Sequence, residues 1–102
     1  MSFRVFPDLK VWFVYNKTVP LEILHELSMD EDEVIRKRVA DRRKLDEDLF
    51  WRLARDPGVS VRGTIAGNAK APRLVLDLLT GDSNDWVSSK AKEALEQRFD
   101  VR

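Results

Sequence analysis

The apolar positions of this chain recur in columns. Leu27, Leu53 and Leu79 lie 26 residues apart, and so do Leu24, Phe50 and Leu76, with Ile23, Leu49 and Val75 beside them. A second set keeps the same step: Ile35, Val61 and Val87, then Val39, Ile65 and Ala91. The first set is spaced i, i+1, i+4 and the second i, i+4, each of which is one face of a helix. Polar residues share the period. Asp30, Asp56 and Asp82 superpose, as do Arg36 on Arg62, Ala40 on Ala66, and Pro20 on Pro72. A fixed period of this size, with apolar residues in fixed columns, is the signature of a stacked repeat architecture. Each unit has too little apolar surface to fold alone, and stacking joins the stripes into one core.

The columns predict three pairs of helices. The first helix of each pair runs over about 20–28, 46–54 and 72–80, starting at Pro20, at the cluster Asp46–Asp48 and at Pro72. Proline suits the first helical turn, where its missing N–H would be unpaired anyway, and acidic side chains oppose the helix dipole there. Second helices are expected over 32–43, 58–67 and 84–98, the last carrying Ala91, Ala94, Leu95 and Phe99 as a stripe nearly to its end. Ser83, Asn84 and Asp85 offer its N-cap. Gly67-Asn68 and Thr80-Gly81 are expected helix stops, through a left-handed C-cap. Residues 8–15, DLKVWFVY, have the composition of a strand but the register of a helix, since Leu9 falls on Ile35 and Phe13 on Val39. The register is preferred. It makes 8–19 a half repeat, followed by repeats 20–45, 46–71 and 72–99 in a single domain over 1–102. In the last repeat Ser88 takes the arginine position and Lys92 that of Ala40 and Ala66, so the outermost face is expected to turn polar, as a terminal repeat should.

Residues 53–72, LARDPGVSVRGTIAGNAKAP, resemble the leucine-rich repeat variant family and, more broadly, HEAT-like repeats. The family pattern is a Leu-Ala pair, then Asp-Pro, Val-Arg, Val-Ala, Asn and Pro, with Ile65 here in a Val slot. Residues 21–45 match with losses: Arg42 stands in the Asn slot and no proline follows Asp30. Residues 73–95 match more weakly. The resemblance covers about 9–95. It implies an all-α fold, a right-handed α-solenoid of about three and a half 26-residue helical repeats, in which short helices can be 3₁₀ in type. It implies no single activity. Some members hold an iron–sulfur cluster on cysteines in a separate segment; this chain has no cysteine, so no cofactor is expected. The resemblance also implies that Asp30, Arg36, Asp56 and Arg62, with six residues from each Asp to its Arg, form an inter-repeat ladder of charge-assisted hydrogen bonds. Phosphate binding is the alternative role for these arginines.

Composition narrows the function classes. Of 102 residues, 43% are hydrophobic and 35% charged, and no apolar run approaches the ~18 residues of a membrane helix. The stretch MSFRVFPDLK lacks the continuous apolar core of a secretory signal, so a cytoplasmic location is expected. The lack of cysteine excludes disulfides, thiolate catalysis and thiolate-bound metal. A single histidine, His25, leaves a histidine metal site or a Ser–His pair short of members, and neither an enzyme nor a metal site is expected. His25 lies in a polar column and is expected at the surface. The acidic residues Asp30–Glu33 and Asp46–Asp48 are accounted for by capping and dipole roles.

The 18 basic residues balance 18 acidic ones, which argues against a strongly electrostatic partner. The charge is locally separated, however: residues 30–33 read DEDE and residues 36–44 read RKRVADRRK. On a helix reaching 43, Arg38 and Arg42 share a face, with Arg43 adjoining. In HEAT-like proteins second helices line the inner surface, and certain HEAT-like DNA glycosylases hold DNA there with basic residues. Those enzymes are longer and place an acidic catalytic residue in an aromatic pocket, which no stretch of this chain supplies.

The tryptophans fall off the apolar register. Trp12 shares its column with Arg38, Thr64 and Lys90, Trp51 with His25 and Asp77, and Trp86 with Val34 and Ser60; Tyr15 shares one with Asp41 and Gly67. Polar columns face water, and exposed Trp and Tyr are what interface anchors are made of. The alternative is that Trp12 and Tyr15 cover the open end of the stack and that Trp51 lies over an apolar groove. The expectation is a non-catalytic protein–protein interaction module (an adaptor, an inhibitor or, on size alone, an immunity-type protein). It would use the inner surface through Trp12, Tyr15, Arg38, Arg42, Arg43, Trp51 and Trp86. The alternative is a nucleic-acid-binding protein using the basic run 36–44. A homodimer through the exposed ends of the stack is also open, and no membrane partner is expected.

Overall fold

A computed structural model describes Asn16 and residues 18–99. Trp12, Tyr15 and nearly all of the half repeat expected over 8–19 lie outside the described residues. Among those described the chain is all-helical, with no strand: α1 (Leu21–Leu27), α2 (Glu33–Ala40), α3 (Glu47–Ala54), α4 (Val59–Ala66), α5 (Arg73–Leu79) and α6 (Asp85–Phe99).

Short polar residues start the helices. Asp32 accepts from the Val34 N–H at 2.9 Å to cap α2, and Asp46 accepts from the Leu49 N–H at 2.9 Å to cap α3. Asn84 caps α6, its Oδ1 accepting from the N–H groups of Trp86 and Val87 at 3.0 and 3.2 Å. Such caps satisfy donors that have no partner within the helix. Pro20 and Pro72 sit one position before the helix rather than in its first turn. Their carbonyls receive the first helical N–H groups, Leu24 to Pro20 at 3.1 Å and Leu76 to Pro72 at 3.1 Å.

The helix ends depart from expectation. No described residue has a positive φ. Gly67 ends α4 at φ −91°, ψ 0°, and Thr80 ends α5 at φ −63°, ψ −21°, so the left-handed caps expected at Gly67-Asn68 and Thr80-Gly81 are corrected. The last turns instead tighten into i→i−3 bonds, such as Asn68 N to Ile65 O at 3.0 Å and Asp82 N to Leu79 O at 3.1 Å, which use up end carbonyls without a left-handed residue. The six helices themselves are α. Helix α2 also stops at Ala40, three residues short of 43. The reason lies in the next repeat: the Asn68 side-chain amide donates to the carbonyls of both Ala40 and Arg42, each at 2.8 Å.

The apolar columns form the core. Leu27, Leu49, Leu53, Val61, Ile65, Val75, Leu76 and Val87 are fully or almost fully buried, and each such side chain contributes on the order of 1.5–3 kcal/mol of transfer free energy. Helix α3 packs on α5, while α2 packs on α4 and α4 on α6; each first helix also packs on the second helix that follows it. Ser60 Oγ donates to Glu33 Oε2 at 2.6 Å near the starts of α4 and α2, and Asn68 joins their ends. Start meets start and end meets end, so α2 and α4 run parallel.

Helix α6 is 15 residues long against eight for α2 and α4. Ala94, Leu95 and Phe99 pack half-buried against the core. Arg98 fastens the far end, donating from Nη1 to Asn68 O at 3.3 Å and from Nη2 to Ala71 O at 2.9 Å. Lys92 is exposed, but Ser88 is buried and donates to the Asp85 carbonyl at 3.2 Å. The arginine position of the last repeat therefore turns inward as a small hydroxyl rather than adding to a polar outer face.

Candidate functional site

The Asp and Arg columns meet between repeats. Arg36 donates from Nε to Asp56 Oδ2 at 2.8 Å and from Nη2 to Asp56 Oδ1 at 3.1 Å. Arg62 does the same to Asp82 at 2.7 and 3.2 Å. Each arginine reaches the aspartate 20 residues ahead. Toward the aspartate six residues behind it offers Nη1 to the backbone carbonyl, Arg36 to Asp30 O and Arg62 to Asp56 O, both at 2.8 Å. The planar fork of arginine matches a carboxylate in this way and lysine cannot. Each aspartate also holds its own turn, accepting from the N–H two residues on: Asp32 to Asp30, Gly58 to Asp56, Asn84 to Asp82. Burial alone pushes the Asp82 carboxyl up, but the Arg62 hydrogen bond, the Asn84 N–H and the Arg62 charge hold it below the usual carboxylate range. The hydrogen bond it donates to Asp56 raises the Arg36 guanidinium pKa. Both arginines are spent on protein acceptors through Nε, Nη1 and Nη2.

Trp86 lies against α4. A Cβ added to Gly63 would overlap Cζ3 and Cη2 of the Trp86 ring, so the glycine is the seat of the indole. Mid-helix glycine costs about 1 kcal/mol relative to alanine, and here it admits a large ring at short range. One turn on, Gly67 lies beneath Lys90, where a Cβ would come 3.1 Å from the Lys90 Cε and Nζ. The Lys90 ammonium stands 5.5 Å from the centroid of the Trp86 ring, within cation–π range. Gly63 on α4 and Gly67 just past its end, four residues apart, thus receive two large side chains four apart on α6, and Trp86 remains 50% exposed. The sequence marks both glycines, but pairing them with Trp86 and Lys90 requires knowing that α4 and α6 touch.

The other candidates do not gather around Trp86. Arg38 is exposed on α2. Arg42 and Arg43 lie beyond the end of α2, so Arg42 does not share a helix face with Arg38. They line a cavity of about 420 Å³ with Thr18, Val19, Leu24 and Lys44. Arg42 is half-buried, and desolvation lowers its guanidinium pKa against the opposing charge of Asp41. Trp51 belongs to the layer of α3 and α5. It is half-buried against the core with the Arg55 guanidinium 5.4 Å from its ring centroid. His25 is not a free surface residue: its Nε2 lies 2.8 Å from Asp46 Oδ2, on the carboxylate that caps α3. That hydrogen bond, opposed by burial and aided by the Leu49 N–H, holds the Asp46 carboxyl below its ordinary value.

Among the described residues the buried polar side chains all have structural partners. Ser28 donates to the His25 carbonyl at 2.6 Å, Asp56 takes Arg36, Asn68 takes two carbonyls and the Lys70 N–H, and Ser88 takes Asp85. Among the described residues no three His, Asp or Glu side chains converge as metal ligands do, and no helix is long and apolar enough to cross a membrane. No family model matches the chain, and neither a curated protein nor a solved structure matches it.

Proposed function

We propose that this chain is a short α-solenoid of the HEAT-like, leucine-rich-repeat-variant kind whose work is binding another protein without catalysis. Support for the solenoid is the repetition of one contact: the Arg36–Asp56 fork recurs as Arg62–Asp82 at the same separation, while second helices pack on second helices. Support for binding is chiefly Trp86. A tryptophan that is half exposed, yet held in place by Gly63 and Lys90, offers a large apolar surface with little side-chain freedom left to lose. The binding surface in this reading is the one formed by α2, α4 and α6, with Arg38 and Lys90 supplying charge beside the indole. The commitment of every buried polar side chain among the described residues to the fold favours a non-catalytic role. Cytoplasmic residence accords with a chain that contains no cysteine.

A second reading draws on the exposed Lys37, Arg38, Arg43 and Lys44, which would suit a nucleic-acid backbone. Affinity capture from source-cell lysate, split into nuclease-treated and untreated halves, separates the two. One stoichiometric protein that survives nuclease, and is lost with Trp86→Ala, is the expected result. Capture that vanishes with nuclease and weakens steeply with salt would overturn it in favour of the basic run.

A further inference from the structure

The outer face of α5 departs from that of the two first helices before it. Leu74 is 66% exposed and Leu78 43%, one turn apart on the same side of the helix. The equivalent positions carry Glu22 and Glu26 on α1, and Asp48 and Arg52 on α3, all exposed. The core does not ask for these leucines, since Val75, Leu76 and Leu79 of α5 fill it. On α3, Asp48 and Arg52 line an open groove of about 560 Å³ with Trp51 and Arg55. Because α3 packs on α5, groove and leucines form one outer face. Its charges follow a rule. Asp48 precedes Arg52 by four residues and Arg73 precedes Asp77 by four, so each helix offers one cation and one anion a turn apart. Among the described residues none of these four is in an ion pair.

We infer that this face docks a second copy of the chain, α5 against α5 in antiparallel about a twofold axis. A twofold contact sets one surface against itself. With the helices reversed, Leu74 of each copy meets Leu78 of the other, and Arg73 of each meets Asp77 of the other. Asp48 and Arg52 on α3 pair in the same way. The mixed charge of the face thereby selects its occupant. A uniformly basic or uniformly acidic segment sets like charges against half of these groups, and a reversed copy sets none. The inference goes beyond the protein-binding reading and does not need it, since Trp86 is seated on α4, in the other layer. Two helices of seven and eight residues, ~8–10 Å apart, make a patch at the small end of specific interfaces. The dimer is therefore expected to form at micromolar rather than nanomolar concentrations.

The test is sedimentation equilibrium of the whole chain from about 1 µM to about 1 mM, with circular dichroism to confirm that each variant keeps its helices. The expected result is a monomer–dimer equilibrium whose Kd rises about tenfold or more with Leu74→Glu and with Leu78→Glu, exposed positions whose equivalents are already charged. Asp77→Arg and Arg73→Asp should each weaken self-association, because like charges then meet across the axis. A one-to-one mixture of those two variants should regain it as a heterodimer, since every crossing pair is then opposite in sign. A monomer throughout the range, or a dimer indifferent to both leucine substitutions, would overturn the inference. So would a mixture that stays monomeric, or a dimer lost with Trp86→Ala instead, which would seat the second copy on the other layer.

Discussion

Arg62 and Asp82 are joined by two hydrogen bonds, Nε to Oδ2 and Nη2 to Oδ1, in a pair whose side chains are only 16% and 9% exposed. The pair sits where one repeat hands over to the next. Arg62→Ala leaves a nearly buried carboxylate without its cation, which costs about 3–5 kcal/mol, a large share of the ~5–15 kcal/mol available to a domain of this size. Urea unfolding should show it directly. Arg62→Lys keeps the charge but not the fork and should fall between the two. An unchanged midpoint for Arg62→Ala would remove the ladder from the account of stability.

The same pair sets the acid limit. The Asp82 and Asp46 carboxyls titrate below their ordinary value of 3.8 in the folded chain. Groups with a depressed folded pKa contribute stability that is present above the unfolded pKa and lost as pH falls through the folded one. Thermal stability is therefore expected to hold from neutral pH down to about 4 and to decline below it. Asp82→Asn should be less stable than the parent at pH 7 and show a shallower decline in acid. A parallel decline in both would assign the acid sensitivity elsewhere.

Gly63→Ala makes two opposite changes. It improves helix propensity by about 1 kcal/mol and forces the Trp86 ring from its seat. In the parent the two should nearly cancel in stability while tryptophan emission shifts red, as the indole swings into water. In a Trp86→Ala background only the propensity gain remains, and Gly63→Ala should stabilise by up to ~1 kcal/mol. Equal effects in both backgrounds would mean that ring and glycine are not coupled.

Asn68 is 5% exposed and its amide holds the Ala40 and Arg42 carbonyls. Asn68→Ala strands those acceptors and should cost ~1–3 kcal/mol. Asn68→Asp, similar in size, turns a donor toward the carbonyls into a repelling oxygen and should cost more. Chemical unfolding of the two variants side by side gives the order; the reverse order would overturn the assignment of the amide as donor.

What the sequence made legible follows from periodicity. Leu27, Leu53 and Leu79 share a column because they occupy equivalent places in the packing, and they are 0%, 0% and 1% exposed. Helix starts could be placed within about one residue, since Asp32, Asp46 and Asn84 act on N–H groups two or three residues away. Helix α2's end could not, because it depends on Asn68, 28 residues past Ala40. His25 keeps the partly exposed place its polar column predicts, at 32% exposure, but its partner Asp46 could not be read, because it lies 21 residues on. Trp86 was legible as a residue off the apolar register, and its seat was not, since a glycine carries no sign of which side chain will fill the space above it.

Helices α2 and α4 are pinned at both ends, by Glu33 and Ser60 at their starts and by Asn68 at their finish. Two rods fastened at one end can scissor; fastened at both, they hold one angle. Arg98 and the Trp86 seat place a comparable pair of fastenings on α6. If the chain binds a partner as proposed, that partner would meet a template whose shape is already set, and most of the loss of freedom on association would fall on the visitor.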